Sequence, residues 1–600
     1  MQRKQNSVDF LNFENGRPDN VEYSQACKNS ASQLSGFVWS KENEIIFVTN
    51  EGFEVYQIYP QDHHICMLKR GTVPTNWYTW DPLNKILLLS SGDLGNRLHV
   101  ISFEGSVTKL AGFDVKEEDI IPSASQPENK QLQQKNCFLA NLYGQLYACI
   151  LSKTAAGGVE LALYKLMKNA PAHKVHALVV PEQGRIAVNF ISDLVLVHHQ
   201  HSRTSLAYDI ALKGKETEGG VERHYPILPP ISLADVNIPC KDIPALSLEP
   251  GADFSTPLYA SSWIIFPPNV VIDGRLGCLW TVDLDLHAFA KLISDPVVLV
   301  ECLLNRSGAK PTLREYCRQL AEDVITAIAH PPTPPLTEFS TLVASSRHLE
   351  TLTSIFARFV AVQKAARKAS KRGKNKPTRT RTQDSPSEPI CRPYEQPFVF
   401  TPDDVLETIL SPLSASENLH IQRFLSHVVL RYISALRSRS LAVDPVFYDM
   451  LFESLVNAGD FMRLVHLIQS GILVDSKEIA NCLLSIESTF PPAGQLALDM
   501  LHRLGNANES IMEVLLAKGD PITALRFCKD HTELLSLPDT PRKVLDSAML
   551  SSDPLVFYSV FRFFERAAPL TCSFVEDPKY QPYAAHFVSL FGPSSLVIQQ

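Results

Sequence analysis

Residues 482–527 read CLLSIESTFPPAGQLALDMLHRLGNANESIMEVLLAKGDPITALRF. Leu483, Leu484 and Ile486 make one apolar face. Pro491-Pro492 stops it, because proline lacks the amide donor and turns the preceding residue away from helix. Leu496, Met500, Leu501 and Leu504 then recur at helical spacing, with Leu498 on the flank. Gly505 ends that helix, and Asn506 to Asn508 restart the chain. Ile511, Val514, Leu515 and Leu516 form the next face, which Gly519 closes. Asp520-Pro521 opens another helix, with Asp as N-cap and Pro at the first helical position. Four helices this short are marginal alone in water and must cover one another's apolar stripes. That arrangement is an α-solenoid.

The same grammar extends in both directions. From Leu292 onward the apolar period is helical, and candidate helices cover 296–305, 312–329, 337–368, 403–411, 417–438, 445–458, 460–469, 476–487, 494–504, 509–518, 521–530, 541–549 and 554–567. Start signals recur at Asp295-Pro296, Thr401-Pro402, Asp444-Pro445, Asp520-Pro521, Thr540-Pro541 and Asp553-Pro554. The helix at 555–567, LVFYSVFRFFERA, is aromatic on nearly every side and is expected to be buried. Residues 364–381, KAARKASKRGKNKPTRTR, hold nine Lys or Arg and no acid. They interrupt the helical half, which divides into a helical segment at 291–368, a basic, Pro/Ser-containing disordered linker at 369–398 and the α-solenoid at 399–600. The tract can be a solvated linker, a nuclear localisation signal or a contact for anionic lipid head groups.

Residues 1–290 read as strands. The units IIFVTNEGFEVYQI, ILLLSSGDLGNRLHVISF, LYACILSKTAAGGVELALYKL and LVLVHHQHSRTSLAYDI begin 40 to 60 residues apart. Strand, turn, strand at that period fits the blades of a β-propeller with insertions. Two β-sandwiches also give strands with regular turns, but the long period favours the propeller. Asn50-Glu51-Gly52 and Gly157-Gly158 supply the positive φ that tight hairpins need. Ser7 to Phe13 reads as a lone closing strand, so upstream propeller sequence is expected to be missing. Residues 111–135 and 213–256 are polar or Pro-rich and are expected to be loops or disordered. The fold class is thus β then α, a propeller followed by a solenoid.

Composition excludes several functions. The 600 residues carry a net charge of −8, which argues against nucleic-acid binding by the whole chain. The start has no apolar signal region, and no apolar run reaches the length of a membrane span. The 12 cysteines are scattered without a C-x-x-C pair, so free buried thiols are expected. P-loop, G-x-G-x-x-G, H-E-x-x-H, G-x-S-x-G and kinase signatures are all missing. His198, His199 and His201 end a strand, and His199 and His201 could share a face for a metal; a solvent-facing strand end is the plainer reading. His63-His64 sits in an ordinary loop. Asp283 and Asp285 alternate in CLWTVDLDL (278–286) as an outer strand face would, rather than as paired acid–base carboxylates. Trp77, Tyr78 and Trp80 read as blade core. No catalytic, cofactor-binding or metal residue, no cofactor and no small-molecule substrate is expected.

Propeller followed by solenoid is the order found in clathrin, coat subunits and vesicle tethers. Particular segments narrow this. NWYTW (76–80), YGQLY (143–147), LVHHQ (196–200), YASSWIIF (259–266), SIESTFPPAGQLALDMLHRL (485–504), MEVLLAKGDPITALRF (512–527) and FYSVFRFFERA (557–567) resemble, in matching order, the family of the regulator of the Mon-one–Ccz-one complex, whose C-terminal region is the Mic-one domain. The basic linker is longer and more charged than in that family. The resemblance implies a non-catalytic accessory subunit of the guanine-nucleotide exchange complex that activates the late-endosomal GTPase Rab-seven. It implies Mon-one and Ccz-one subunits as partners, bound through the propeller. It also implies a cytoplasmic protein peripheral on late-endosomal, lysosomal and autophagosomal membranes, active in endosome maturation, lysosomal fusion and autophagy. A tethering or coat subunit is the alternative.

Overall fold

A computed structural model describes the chain apart from residues 1, 12–20, 63, 122–129, 155–157, 182–183, 215, 235–236, 240–252, 256–258, 275–276, 330–336, 375–389, 391–396, 568–577 and 593–600. The chain divides into two compact units, Met1–Gln319 with Ser354–Thr408, and Leu320–Thr353 with Ile409–Gln600.

The first unit holds the β-propeller. Its small sheets follow one another along the chain. Gln2–Lys4, Ser7–Leu11 and Val21–Ala26 form one, and Leu34–Lys41, Glu44–Thr49, Gly52–Tyr59 and His64–Thr72 the next. Trp77–Asp81, Ile86–Ser91 and Arg97–Ser102 lead the third, and Cys137–Leu142 through His173–Val180 the fourth. Ile186–Ile191, Leu194–His199 and Thr204–Tyr208 follow, and then Trp263–Phe266, Val270–Asp273 and Cys278–Thr281.

Both faces of an inner strand are buried. Ile45 and Phe47 pack with Val8, Tyr56 and Ile58, while Ile46 and Val48 pack with Leu87, Leu89 and Phe103 of the following sheet. Strand period 2 therefore separates two apolar faces, which is why these strands read as unbroken apolar runs. The same division recurs further on. Leu88 and Leu98 meet Leu139 and Leu146, and Leu161 and Leu163 meet Val188, Val197 and Leu206. Gly52 turns its hairpin at φ +139°, where a Cβ would lie 2.1 Å from Gly71 O. Gly157 of the other predicted turn lies outside the described residues.

Several expectations change here. Ser7–Leu11 is no lone strand, since it pairs with Gln2–Lys4 on one side and Val21–Ala26 on the other. The insert at 111–135 is anchored in the inter-sheet core by Phe113, Val115, Ile120 and Leu132, and Leu132 O accepts the Trp77 Nε1 hydrogen bond at 2.7 Å. Sparse apolar residues in a polar stretch suffice when each enters a core. The insert at 213–256 adds Val221–His224 in parallel to His173–Val180, with Glu216–Glu218 outside it. The strand expected over 278–286 stops at Thr281, because Asp285 caps a new helix, Leu286–Leu292, by accepting from His287 N and Ala288 N.

The division between units falls inside the helices Lys310–Ala329 and Thr337–Lys374. Arg306 explains why the first helices stay with the propeller. It follows helix Pro296–Leu304 and is fully buried. Its guanidinium meets the Asp209 carboxylate and donates to Tyr143 Oη at 3.1 Å and Cys302 O at 3.0 Å. Tyr143 Oη donates in turn to Asp209 Oδ1 at 2.6 Å. Burial alone would lower the arginine pKa, but the Asp209 charge and the Tyr143 oxygen more than offset it, and the net shift is upward.

Thr337–Lys374 continues past 368 into the basic tract, whose Lys and Ala residues are good helix formers; the tract beyond 374 lies outside the described residues. Within the span read as disordered linker, Ile390 is buried in the core between the third and fourth sheets. Its N–H donates to Leu166 O at 3.0 Å, and its carbonyl accepts from Leu146 N at 3.1 Å. The chain thus returns to the propeller there, because one aliphatic side chain with two backbone bonds fills the gap at the ends of Gln145–Lys153 and Val159–Lys165.

In the second unit, the described residues between 409 and 592 form the solenoid. The opening stretch gives Lys477–Ser485, Pro492–Leu504, Asn508–Ala517 and Pro521–Asp530, each packed on the next. Gly505 takes φ +70° and Gly519 φ +73°, as helix stops do. The predicted caps hold at Asp295, Thr401, Asp444, Asp520 and Asp553. At Thr540-Pro541 the helix instead begins on Thr540, and Asp539 precedes it without a side-chain bond. Among its described side chains, Pro554–Ala567 buries Phe557, Val560, Phe561 and Phe564, against Tyr583 and Phe587 of Gln581–Phe591. Leu555 and Tyr558 are exposed, so the aromatic helix is two-faced rather than enclosed. Among the described residues no helix is long and apolar enough to cross a membrane.

Candidate functional site

A cleft of about 830 Å³ opens in the propeller unit. Phe138 and Leu151 line it from one sheet, Val188 and His198 from the next, Trp263 and Ile264 from the last, and Tyr259 from the turn before it. Antiparallel register builds its polar wall. His198 stands opposite Ser205 and Ala187. His198 Nδ1 lies 2.8 Å from Ser205 Oγ and its Nε2 3.0 Å from Asn189 Oδ1. Ser205 Oγ also meets Tyr259 Oη at 2.7 Å, and Tyr259 Oη accepts from Leu233 N at 2.8 Å.

Serine, histidine and amide in contact are the ingredients of a nucleophile. Here Ser205 is buried and its hydroxyl is engaged on both sides, so the cluster ties neighbouring strands of one sheet to Tyr259, which lies ahead of the last sheet. His198 and His199 are buried, not solvent-facing. Both ring nitrogens of His198 are occupied, and His199 Nδ1 binds Ser202 Oγ at 2.7 Å. The His199 and His201 rings stand 6.5 Å apart. His64 begins the outer strand of the second sheet, and His63 lies outside the described residues. Asp285 serves as the helix cap already described. Trp77 is core, and Tyr78 and Trp80 pack against the neighbouring cluster, as the sequence predicts. The described cysteines are free thiols, mostly buried; Cys66 and Cys482 are exposed.

Burial pushes the His198 pKa down to about 4, and burial followed by His224 does the same for His176. The unfolded chain takes these protons near pH 6.5, so acid favours unfolding. Stability from this source is complete above pH 6.5 and is lost as pH falls toward 4, at about 1.4 kcal/mol per pH unit for each histidine. Urea melts of the His198→Gln variant, followed by tryptophan fluorescence, should show a shallower loss between pH 6.5 and 5 than the wild type.

Beside the cleft, the last sheet presents an apolar face. Ile264 pairs with Ile272 and Ile272 with Leu279, so the three share one side. Ile264 is 53% exposed, Phe266 48% and Leu279 64%. Together they leave aliphatic and aromatic side chains uncovered on one side of the sheet. Periodicity could not find it, since the same alternation describes a buried face.

A second grouping also escapes sequence reading. Glu222 stands opposite His176 in the parallel pair, and His224 lies two residues on, along the same face. His176 Nδ1 is 3.0 Å from His224 Nε2 and 3.9 Å from Glu222 Oε2. The E-x-H spacing at 222–224 is the only local trace.

Models of the regulator of MON1-CCZ1 complex match this chain, the N-terminal one over residues 1–65 and the C-terminal one over residues 336–569. The mouse protein called regulator of MON1-CCZ1 complex is 32% identical over 613 residues, covering all of this chain and 87% of its own length. The chain belongs to this regulator family. The human regulator is 31% identical over 614 residues, with the same coverage. A homologue of the regulator from Dictyostelium discoideum is 32% identical over 197 residues, which span 31% of this chain and 20% of that protein. Membership agrees with the propeller and solenoid, and it names a regulator of a complex. The match runs through both structural units, so the cleft and the stacked helices alike belong to the family's chain.

Proposed function

We propose that this chain is a non-catalytic accessory subunit of a MON1–CCZ1 complex. The observation that carries the reading is identity to the mouse regulator along the entire chain, at 32%. In this reading the complex exchanges guanine nucleotide on the late-endosomal GTPase Rab-seven, and the chain binds and positions it. Partner contact goes through the propeller, on the exposed Ile264, Phe266 and Leu279 face beside the cleft. Apolar side chains at the centre of such a patch supply most of a contact's energy. Association with late-endosomal and lysosomal membranes is peripheral, and the role is in endosome maturation, lysosomal fusion and autophagy.

The test is nucleotide release from Rab-seven on liposomes. The chain alone should release no more than buffer does, and added to the two partner subunits it should speed release. Release by the chain alone would make it an enzyme and overturn the proposal; no effect on the complete mixture would also overturn it.

A further inference from the structure

His176, Glu222 and His224 take no part in the reading above. We propose that they bind one zinc ion, with His176 Nδ1, His224 Nε2 and Glu222 Oε2 as ligands. The three ligand atoms lie within 4.8 Å of one another. They come from two strands whose parallel register puts them on one face. Two ligands on a tetrahedral zinc, each about 2.0–2.1 Å from it, stand about 3.3 Å apart. The two nitrogens at 3.0 Å need to part slightly, and the half-exposed Glu222 needs to close from 3.9 Å.

The carboxylate is already aimed. Gly214 N donates to Glu222 Oε1 at 2.6 Å, which leaves Oε2 turned toward His176. A Cβ at position 214 would lie 2.5 Å from Glu222 Cγ and from Arg223 O, so only glycine permits this hold. Each imidazole binds as the neutral ring, keeping its proton on the other nitrogen. Two imidazoles and one carboxylate suit zinc, and water takes the fourth position. The ion would clasp Val221–His224 to the edge of the fourth sheet, where the parallel pairing spans only His176–Leu178.

The full chain, stripped with chelator, is incubated with zinc and passed through a desalting column. It should retain one equivalent, and zinc should raise the melting temperature read by tryptophan fluorescence. Glu222→Gln, which keeps the side chain's shape, and His224→Asn should each lower zinc affinity at least about tenfold. Zinc-edge X-ray absorption on the wild type needs no variant: nitrogen and oxygen neighbours at about 2.0–2.1 Å support the site, and sulfur at about 2.3 Å contradicts it. A wild type that retains no zinc overturns the proposal. So do variants that retain it equally, since the metal would then sit elsewhere, as on the exposed thiols of Cys66 or Cys482.

Discussion

Replacing Arg306 with alanine should destabilise the propeller unit by about 3–5 kcal/mol, the cost of leaving a buried partner charge alone. The guanidinium is fully buried and serves Asp209, Tyr143 and Cys302 O together. Without it Asp209 keeps three donors, Tyr143 Oη, Ala211 N and the weak donor Cys302 Sγ, but no countercharge. The double variant Arg306→Met/Asp209→Leu should recover most of the loss, because removing both charges removes the desolvation cost with them. A chain of two units does not melt as one, so the probe must be local. All 5 tryptophans, at 39, 77, 80, 263 and 280, lie in Met1–Gln319. Tryptophan fluorescence therefore reports the propeller unit alone. An Arg306→Ala melt within about 1 kcal/mol of wild type would show that this cluster does not hold the first helices in place.

Leu501→Ala should cost about 2–5 kcal/mol in the second unit, the price of a cavity in a close-packed interface. Leu501 is 1% exposed and packs on the face made by Ala493, Ala497 and Met500. Leu504→Ala should cost about 1 kcal/mol, since that side chain is only half-buried. Far-ultraviolet circular dichroism in denaturant reads the helical transition, while the tryptophan transition should not move. Equal losses at the two positions would mean that the stacking face has been drawn wrongly.

Helix existence and helix ends were legible in this chain because their causes are local. Asp520-Pro521 and Gly505 act within a few residues of themselves. The buried face of Pro492–Leu504 was less legible. It runs through Ala493, Gly494 and Ala497, small residues that carry little hydrophobic signal but let a neighbour approach. A Cβ at Gly494 would lie 2.1 Å from Glu487 Oε1, whose partner is Lys518 Nζ at 2.8 Å. The propeller's strands were legible as apolar runs, while its inserts were not. Leu132 and Ile390 each enter a core as a lone aliphatic residue in a polar stretch, which sets no period. The His176, Glu222 and His224 grouping depends on a parallel pairing across more than forty residues, which no local pattern encodes. The exposed Ile264, Phe266 and Leu279 face was invisible for a related reason. A sequence shows that a strand is apolar, and only the fold shows which side is left uncovered.

The central claim is that this chain engages a MON1–CCZ1 complex through its propeller. Binding of the purified complex to the immobilised full chain tests it most directly, measured for the wild type and for Phe266→Asp/Leu279→Asp. Saturable binding by the wild type, weakened at least about tenfold in the variant with the tryptophan melt unchanged, is the predicted result. No saturable binding by the wild type would contradict the claim, and full affinity in the variant would contradict the assignment of that face.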